Sequence, residues 1–483
     1  MILFIGGIIF LIVAGIFYSK YVESQLGPDD RETPAVRKAD GVDFVVMDEK
    51  KNWLVNLLNI AGTGPILGPI QGALFGPVAL VAIPLGCVFA GAVHDLLAGF
   101  ISMRNGGAQI PRLVGKYVGN GARKAFNVVV AVLLLLLVVV FVYTPGDIIA
   151  SDILGKDPEG SLIWTIYIII FIYYILSTVL PIDKLIGKIY PLFGLFLIIS
   201  ALGVGIGVIF KGGEHLKFYG GLFADHPLGQ RFIPSFFITV ACGILSGFHA
   251  TQTTLISRTI KHEKEAVGTF YSTMIAEGVI AMIWAAGAMV IFNSGTAATD
   301  TPGTLMVGQI SRFFMGNFGG LLAIIGVIVL PITSGDTAFR SLRLIIADEL
   351  NLDQKDIGKR MTLTMILFVP IAILLWFSKS NPAGFNILWR YFGFMNQLVA
   401  VFVLAVGTSY LINTNKNYLI ALIPGMFYTF ITTSFISTTK GLGFGLDINI
   451  SYIIAAILTI IYAVYIVKNA KKNKLRIDAI KLD

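Results

Sequence analysis

The sequence predicts an all-α polytopic membrane protein with about 13 transmembrane helices. Composition is the first observation: 56% of the 483 residues are hydrophobic and 13% are charged, which is unlike a soluble globular domain. The second is the length of the apolar runs at 128–143 and 163–180, which is enough to cross the hydrocarbon core as helices. The third is that two predicted spans are interrupted at their centres, which indicates irregular backbone at membrane depth.

The predicted spans follow from the positions of the hydrophobic runs. They start near residues 2, 53, 77, 126, 161, 190, 233, 267, 313, 361, 384, 418 and 450. A β-barrel would instead show short segments of alternating hydrophobicity. The longest polar stretch, 19–52, predicts a cytoplasmic loop with a short surface helix before Trp53. The segment 334–352 has apolar residues at helical spacing, and we expect it to lie along the inner membrane interface.

The basic residues indicate the orientation of the chain. With the amino terminus outside, the inner loops and the carboxyl-terminal tail, which begins with KNAKKNKLR and includes Lys481, hold 28 of the 36 Lys and Arg residues, as the positive-inside rule requires. We therefore predict a multi-pass protein of the inner membrane with a cytoplasmic carboxyl terminus. The net charge of +8 is spread over short loops, which argues against a nucleic-acid partner. The first run, 2–18, lacks a basic n-region and predicts a retained helix.

The first interruption is the stretch NIAGTGPILGPIQGALFGP, residues 59–77, in span 2. Interior prolines remove backbone donors and clash with the preceding turn. Gly64-Pro65 suits the start of a second half-helix, because proline is favoured at the first helical position. Gly68-Pro69 is an equally good place for the break, and the sequence leaves both open.

The second interruption is ACGILSGFHATQTTLIS, residues 241–257, in span 7. It lies five spans after the first, and the two spans run in opposite directions. Inverted five-helix repeats that each begin with a broken helix are a known transporter arrangement. We therefore predict a LeuT-like 5+5 inverted repeat of spans 2–6 and 7–11. The alternative is that the small residues only allow helices to pack closely.

This prediction divides the chain into four parts. They are the first helix with the cytoplasmic loop (1–52), the first repeat (53–232), the second repeat (233–413), and two peripheral helices with the basic tail (414–483). Half-helix N-termini carry free N–H groups and partial positive charge, so the two breaks suit an anion. The predicted substrate-binding residues at and beside the breaks are Gly62, Thr63, Gly64, Pro65, Gln71, Ser246, Gly247, His249, Thr251 and Gln252.

Two carboxyl groups are candidates for ion coupling, because charges inside a membrane are costly and usually functional. Glu277 lies about 15 Å from the inner surface at 1.5 Å per residue, and either carries a proton or holds a hydrogen bond between helices. Asp336 lies among the hydroxyls of Thr333, Ser334 and Thr337, where a further helix break is expected, and suits Na⁺ or a proton. Its alternative is an ion pair with Arg340, four residues on.

His94 and Asp95 lie towards the inner end of span 3. Adjacent helix residues point about 100° apart, so we expect no ready-made catalytic pair and assign both, with Arg340, a gating or structural role. Both cysteines lie in apolar segments, so no disulfide framework is indicated. We predict no metal and no cofactor other than H⁺ or Na⁺ as the coupling ion.

The run AGTGPILGPIQGALFGP, followed by GCVFAGAVHDLLAGFISMRNGGAQIP and SGDTAFRSLRL, resembles the carbon starvation protein A (CstA) family. The resemblance covers most of the chain. It implies an inner-membrane secondary transporter related to the amino acid–polyamine–organocation superfamily and associated with carbon starvation. The substrates it implies are pyruvate and small peptides, taken up with protons.

The leading hypothesis is alternating-access uptake of a small carboxylate, most simply pyruvate, driven by H⁺. Uptake of di- or tripeptides and Na⁺-coupled symport stay open, and a channel or membrane sensor is a weaker alternative. No HExxH, paired-cysteine or G-x-S-x-G motif is present, so an enzyme is not expected. The predicted partners are a small-molecule substrate and the lipid bilayer, and the oligomeric state is open.

Overall fold

The computed structural model describes the chain except residues 42, 180–182, 217–220, 351, 353–355, 475–479 and 481–483. The side chains of residues 179, 183–191 and 193 are also outside the description. Residues 475–479 and 481–483 of the basic tail therefore lie outside the described residues.

Every regular element in the described part of the chain is helical. Among the described residues, ten helices are long and apolar enough to cross a membrane, and a bent pair at Glu49–Ile60 and Gly64–Phe75 raises this number to 11. A shorter apolar helix and the interrupted segment around residues 237–256 account for the other two predicted spans. The number of 13 spans stays a prediction, since helix length and composition alone do not count membrane crossings.

The amino-terminal part contains α1 (Ile2–Leu26) and a short surface helix, α2 (Pro34–Arg37). The predicted first repeat contains eight helices, of which α5 and α6 are joined by a π-helical turn. They are α3 (Glu49–Ile60), α4 (Gly64–Gly72), α5 (Ala79–Gly86), α6 (Ala92–Arg104), α7 (Ile110–Tyr117), α8 (Asn120–Ile148), α9 (Leu162–Val179) and α10 (Asp183–Lys211).

The predicted second repeat begins with three short helices and continues with four long ones. They are α11 (Phe237–Thr239), α12 (Ala241–Ile244), α13 (Gly247–Ile256), α14 (Ser272–Asn293), α15 (Gly303–Glu349), α16 (Ile357–Ser380) and α17 (Gly384–Asn413). Two further helices follow, α18 (Leu419–Thr438) and α19 (Ile448–Lys472).

The core of the bundle lies where helices of the two predicted repeats pack against each other. Helix α4 packs against α12 and α14, α8 against α15 and α17, and α6 against α13 and α17. The peripheral helices α1 and α19 expose large apolar side chains, such as Ile9 and Ile457, along most of their length. Such a surface suits contact with lipid rather than water.

The connection between α1 and α3 packs across the ends of the helices that the basic-residue pattern predicts to be inner. The Thr33 hydroxyl donates to the Ile260 carbonyl at 2.6 Å, and the Met47 N–H donates to the Thr259 carbonyl at 3.0 Å. This predicted cytoplasmic loop is therefore held against the bundle by hydrogen bonds. The four-residue helix α2 lies in the stretch before Trp53, with Pro34 and Ala35 buried, and a separate surface helix there stays a prediction.

Helix α15 is divided by a kink at Gly316 into the segments 303–315 and 317–349. The second segment begins within a few residues of the start predicted for span 9, near residue 313. It continues to residue 349 without a separate interfacial segment at 334–352. The one non-helical backbone conformation inside it is at Gly316, where φ is 70°. The helix break expected near Asp336 is absent, because Pro331 is accommodated within the helix and the ladder continues through that region.

Candidate functional site

The first interruption lies between α3 and α4. Helix α3 ends at Ile60, Ala61–Thr63 is non-helical, and α4 begins at Gly64 with Pro65 in its first turn. The two half-helices are bent by 52° relative to each other. The predicted break at Gly64-Pro65 is confirmed, and the helix continues through Pro69. Proline is accommodated in the first turn because its missing N–H would have no partner there.

The second interruption lies between α12 and α13. Leu245 and Ser246 have extended backbone conformations, with φ of −153° and −126°. Helix α13 then begins at Gly247, where a Cβ would lie 2.6 Å from the Ala400 backbone nitrogen. Only glycine fits this close approach to α17. The predicted second break is therefore confirmed.

The two interrupted spans are in direct contact and run antiparallel. A Cβ built on Gly64 would overlap Cys242, and one built on Gly68 would lie 2.9 Å from the Thr239 carbonyl oxygen. One turn further on, Gly72 faces Val240 and Phe236. Because rising residue numbers on α4 meet falling numbers on the other span, the two segments have opposite directions. Small residues on α4 allow this approach.

Asn396 of α17 holds the second break and was missed by the sequence analysis. Its Oδ1 accepts a hydrogen bond from the Phe248 N–H at 2.8 Å, and its amide lies 3.1 Å from both the Cys242 sulfur and the Ser246 hydroxyl. One N–H at the start of α13 is therefore already bonded to a side chain. A buried asparagine in an apolar span was the available signal.

The other predicted substrate-binding residues differ in their hydrogen bonds and positions. The Thr63 hydroxyl is buried without a hydrogen-bond partner in the described part of the chain. The Thr251 hydroxyl donates to the Phe248 carbonyl at 2.7 Å, and the Gln252 amide donates to the Thr251 hydroxyl at 3.0 Å. Gln71 lies near the end of α4, two turns beyond the break. Their roles in binding stay predictions.

A buried cluster of ionisable residues adjoins the second break. His249 of α13 lies between two carboxylates: its Nδ1 is 3.0 Å from Asp95 Oδ2, and its Nε2 is 3.4 Å from Glu277 Oε2. All three side chains are at most 1% exposed. The Glu277 contact has ion-pair distance without hydrogen-bond geometry. Three helices, α6, α13 and α14, thus bring together residues far apart in sequence.

The charges of this cluster, which we call the buried trio, do not balance by themselves. With both carboxylates ionised and the imidazole protonated, the three groups carry a net charge of −1. The trio is neutral only when it holds one more proton. An unbalanced charge is strongly disfavoured in a medium of low dielectric constant. Burial of the trio therefore favours binding of the additional proton.

His94 and Asp95 are closer to each other than the sequence analysis expected. His94 Nδ1 lies 2.8 Å from Asp95 Oδ1, and both side chains are fully buried. The two side chains bend towards each other across the helix surface, so His94 extends the buried trio. The gating or structural role of the two residues stays a prediction.

Asp336 lies apart from these residues, between α15 and α9. The Ser177 hydroxyl donates to Asp336 Oδ1, and the Arg340 guanidinium is 3.9 Å from Oδ2. Two of its predicted hydroxyl partners bond to the backbone of their own helix: Thr333 donates to the Val329 and Leu330 carbonyls, and Thr337 donates to the Thr333 carbonyl. The third, the Ser334 hydroxyl, is buried without a hydrogen-bond partner among the described residues. The observed ion pair matches the alternative reading of Asp336.

Phe141 of α8 lies between the first break and the Asp336 region. Its ring would be 3.3 Å from a Cβ at Gly62, and its Cβ would be 3.1 Å from a Cβ at Gly335. A change in the position of the segment between α3 and α4 would therefore change the packing of Phe141 against α15. This packing is the structural link between the predicted substrate region and the second candidate for ion coupling.

Two solved transporter structures share the fold of this chain. MhsT, solved in complex with L-phenylalanine, has a TM-score of 0.56 and 14% identity over 86% of this chain and 98% of its own. A manganese transporter of Eremococcus coleocola has a TM-score of 0.54 and 12% identity over 89% of this chain and 94% of its own. The all-α, LeuT-like fold predicted from the two interrupted spans is confirmed.

Relatives with curated names are also transporters where a function is given. An uncharacterized membrane protein of Haemophilus influenzae is 39% identical over 60% of this chain and 91% of its own length. The peptide transporter CstA of Campylobacter jejuni is 25% identical over 87% and 78%. The pyruvate/proton symporter BtsT of Escherichia coli is 25% identical over 60% and 49%.

The family comparison covers nearly the whole chain. The sequence profile described as carbon starvation protein CstA matches residues 1–164, 147–314 and 303–435. Together with two broken spans that meet antiparallel and a fold shared with transporters, this match shows a multi-span membrane protein that is not an enzyme. The chain belongs to the carbon starvation protein CstA family.

Proposed function

We propose that this chain is a proton-coupled secondary transporter that takes up a small carboxylate, with pyruvate as the leading substrate, by alternating access. The buried trio of Asp95, His249 and Glu277 is the observation that carries the proposal. It provides a proton site in the interior of the bundle. Its central member lies on α13, one of the half-helices whose position defines the second break.

The proposed coupling between proton binding and conformational change follows from the position of the buried trio. Proton binding removes the surplus negative charge, so the protonated and deprotonated cluster favour different positions of α13 relative to α6 and α14. A ligand shifts a conformational equilibrium only by its differential affinity for the two states. A proton that stabilises one arrangement of α13 therefore changes which side of the membrane the adjoining substrate region faces.

The first break supplies the proposed contact for the substrate. The start of α4 carries the partial positive charge of a helix N-terminus, and the unpartnered Thr63 hydroxyl adjoins it. A carboxylate placed there would receive both. The second break has one N–H group fewer for a carboxylate, because the Phe248 N–H already donates a hydrogen bond to Asn396 Oδ1.

The test uses the purified protein in proteoliposomes with an imposed proton gradient. Glu277→Gln holds the side chain permanently neutral, so we expect it to lose gradient-driven accumulation of radiolabelled pyruvate while retaining exchange of labelled for unlabelled pyruvate. Glu265→Gln, in the loop before α14, is the matched control and should accumulate pyruvate like the original protein. Accumulation by Glu277→Gln at the original level would overturn proton coupling through the trio.

Uptake of small peptides is the second candidate function. Several relatives carry the name peptide transporter CstA, including those of Campylobacter jejuni and Escherichia coli, whereas the relative named for pyruvate is matched over half its length. Competition decides between the two. If dialanine blocks labelled pyruvate uptake and is itself accumulated faster, peptides are the substrate class.

The coupling ion is tested in the same vesicles. Na⁺ coupling would use the Asp336 region, with the Thr333 and Ser334 hydroxyls as further ligands. We expect uptake to follow the proton gradient and to be unchanged when K⁺ replaces Na⁺. Uptake that requires Na⁺ and is lost in Asp336→Asn would instead assign coupling to that region.

The proposed setting is the inner membrane, with the amino terminus outside and the carboxyl terminus in the cytoplasm. The distribution of basic residues supports this orientation. Fusion of a reporter that is active only in the cytoplasm to residue 483 should give activity. An inactive carboxyl-terminal fusion, together with activity after fusion at residue 156, would reverse the orientation.

A further inference from the structure

A cavity of about 530 Å³ opens at the end of the bundle that the basic-residue pattern places outside. We call it the outer vestibule. It is lined by the end of α4, the outer ends of α8, α16 and α17, and the loops that contain Glu159, His226 and Asp300. Its volume is typical of sites for small ligands. Gln71, predicted from the sequence to bind substrate, lines this cavity.

Two cationic side chains line the outer vestibule, and they differ in their partners. The Lys379 ammonium is 2.9 Å from Asp147 Oδ1 and 2.8 Å from Glu159 Oε1, so its charge is already matched. Arg390, two turns into α17, has no hydrogen bond or ion pair with any residue that the structure describes. It is a half-buried guanidinium facing a cavity with its donors unused.

His226 and Gln71 share the cavity with Arg390 and add no charge near pH 7, whereas four acidic residues also line it: Asp147, Asp157, Glu159 and Asp300. His226 Nδ1 accepts a hydrogen bond from the Leu228 N–H at 3.1 Å. Burial, together with the positive charge of Arg390, lowers the pKa of His226 to about 4, so the ring is neutral near pH 7. The Gln71 amide nitrogen is buried without a partner in the described part of the chain and adds an unused donor to the same cavity.

We propose that the outer vestibule is a carboxylate-binding site built on Arg390 and separate from the two helix breaks. Guanidinium binds carboxylate through paired, charge-assisted hydrogen bonds. This inference rests on the proposed function, because it gives the solute a first binding position on its way to the interior. Binding here, however, needs neither a proton gradient nor the buried trio.

Acidic residues at the exposed edge of the outer vestibule influence which carboxylate ligand binds there. Asp157, Glu159 and Asp300 are all exposed lining residues. The carboxylate of pyruvate and the carboxyl terminus of a peptide offer Arg390 the same chemistry, but only the peptide also offers an ammonium group to these acids. The two sources are therefore separate arms of one experiment.

The experiment uses ligand protection of an introduced thiol. Both native cysteines, Cys87 and Cys242, are buried, so Asn386→Cys, one turn before Arg390 and also in the vestibule lining, provides a single accessible thiol. Its labelling by a methanethiosulfonate reagent is followed without a gradient. The probes are pyruvate and dialanine. Each is compared with the amide that lacks its carboxylate: pyruvamide for pyruvate and dialanine amide for dialanine.

We expect the two carboxylates to slow labelling and the two amides to have little effect. Arg390→Gln should raise the concentration needed for half-protection about tenfold or more, as for the loss of a hydrogen bond to a charged group. Arg390→Lys should recover part of the protection, because it keeps the charge without the paired geometry. Arg231→Gln, at an exposed arginine in the loop before α11 and outside the vestibule lining, is the matched control and should protect normally.

The outcomes separate this proposal from the proposed function. Protection that persists in Glu277→Gln but is lost in Arg390→Gln supports the vestibule site, whether or not uptake is proton-coupled. Dialanine protecting at lower concentration than pyruvate would identify a zwitterion as the vestibule ligand. Equal protection in Arg390→Gln and the parent, or equal protection by acids and amides, would overturn the proposal.

Discussion

Gly64 packs against Cys242 so closely that a Cβ at residue 64 would lie 2.7 Å from the Cys242 sulfur and would overlap its Cβ. This contact joins the start of the half-helix α4 to the last turn before the second break. The two interrupted spans therefore meet at the level where both lose helical structure. In the proposed function, movement of these segments would act through this contact, since close-packed interfaces shift between discrete arrangements.

Gly64→Ala is expected to destabilise the protein by about 1–3 kcal/mol, because overpacking forces neighbouring backbone to move. The measurement is the free energy of unfolding in mixed micelles. Gly64→Ala combined with Cys242→Gly should recover part of the loss, because it removes the overlapping atoms. Gly6→Ala is the control: nothing lies within 4 Å of its added methyl group. A fully stable Gly64→Ala protein would contradict the contact.

Asn396→Ala should destabilise the second break by about 1–3 kcal/mol, the range for leaving a buried polar group unsatisfied. The Phe248 N–H and the Ser246 hydroxyl lose their partner in this variant. We also expect slower pyruvate uptake, because the start of α13 is less well positioned. Asn413→Ala on the same helix, where the amide bonds to the Ser409 carbonyl of its own turn, should have little effect. Equal behaviour of the two variants would argue against a specific role for Asn396.

His249→Ala should destabilise the protein by about 3–5 kcal/mol, because it leaves two buried carboxylates without their shared partner. Adding Glu277→Gln should restore part of the stability, since only one carboxylate then remains. A double-mutant cycle in mixed micelles measures this coupling. His215→Ala, in a loop, is the control and should lie within about 0.5 kcal/mol of the original protein. Additive effects of the two substitutions would show that His249 and Glu277 do not interact.

The pH dependence of stability should report on His226 at the outer vestibule. Its pKa is lowered from 6.5 to about 4, first by burial and then by the charge of Arg390. Between these two values the unfolded chain binds more protons than the native protein, so this group's contribution to stability falls as the pH is lowered through that window. His226→Gln should therefore lose less of its melting temperature than the original protein between pH 7 and pH 4.5. Parallel losses in the two proteins would contradict the shift.

Much of the architecture could be predicted from the sequence because the bilayer imposes strong local rules. Apolar runs must form helices, since no water is present to satisfy free backbone groups. Prolines and polar residues in the middle of such runs must then mark breaks. For this reason the interruptions at Gly64-Pro65 and around Ser246 were identified, although the sequence left Gly68-Pro69 open as well.

The candidate site was less accessible to sequence reasoning, because its members come from different helices. Glu277 and His249 were each identified by their depth in an apolar span. The direct contact between them, the contact of His249 with Asp95, and the hydrogen bond of Asn396 to the start of α13 depend on how α6, α13, α14 and α17 pack. Helical spacing also did not indicate the contact between His94 and Asp95, since side-chain torsions bring the two groups together despite the angle between them.

The sequence by itself determined that the chain is a helical membrane protein with two interrupted spans, because backbone satisfaction in lipid is a local requirement that each segment must meet. Only the tertiary structure decided which buried charges meet: it placed His249 between two carboxylates and left Arg390 facing the outer vestibule without a partner among the described residues. Such pairings depend on helix packing, and residues far apart in sequence become neighbours only when the bundle is assembled.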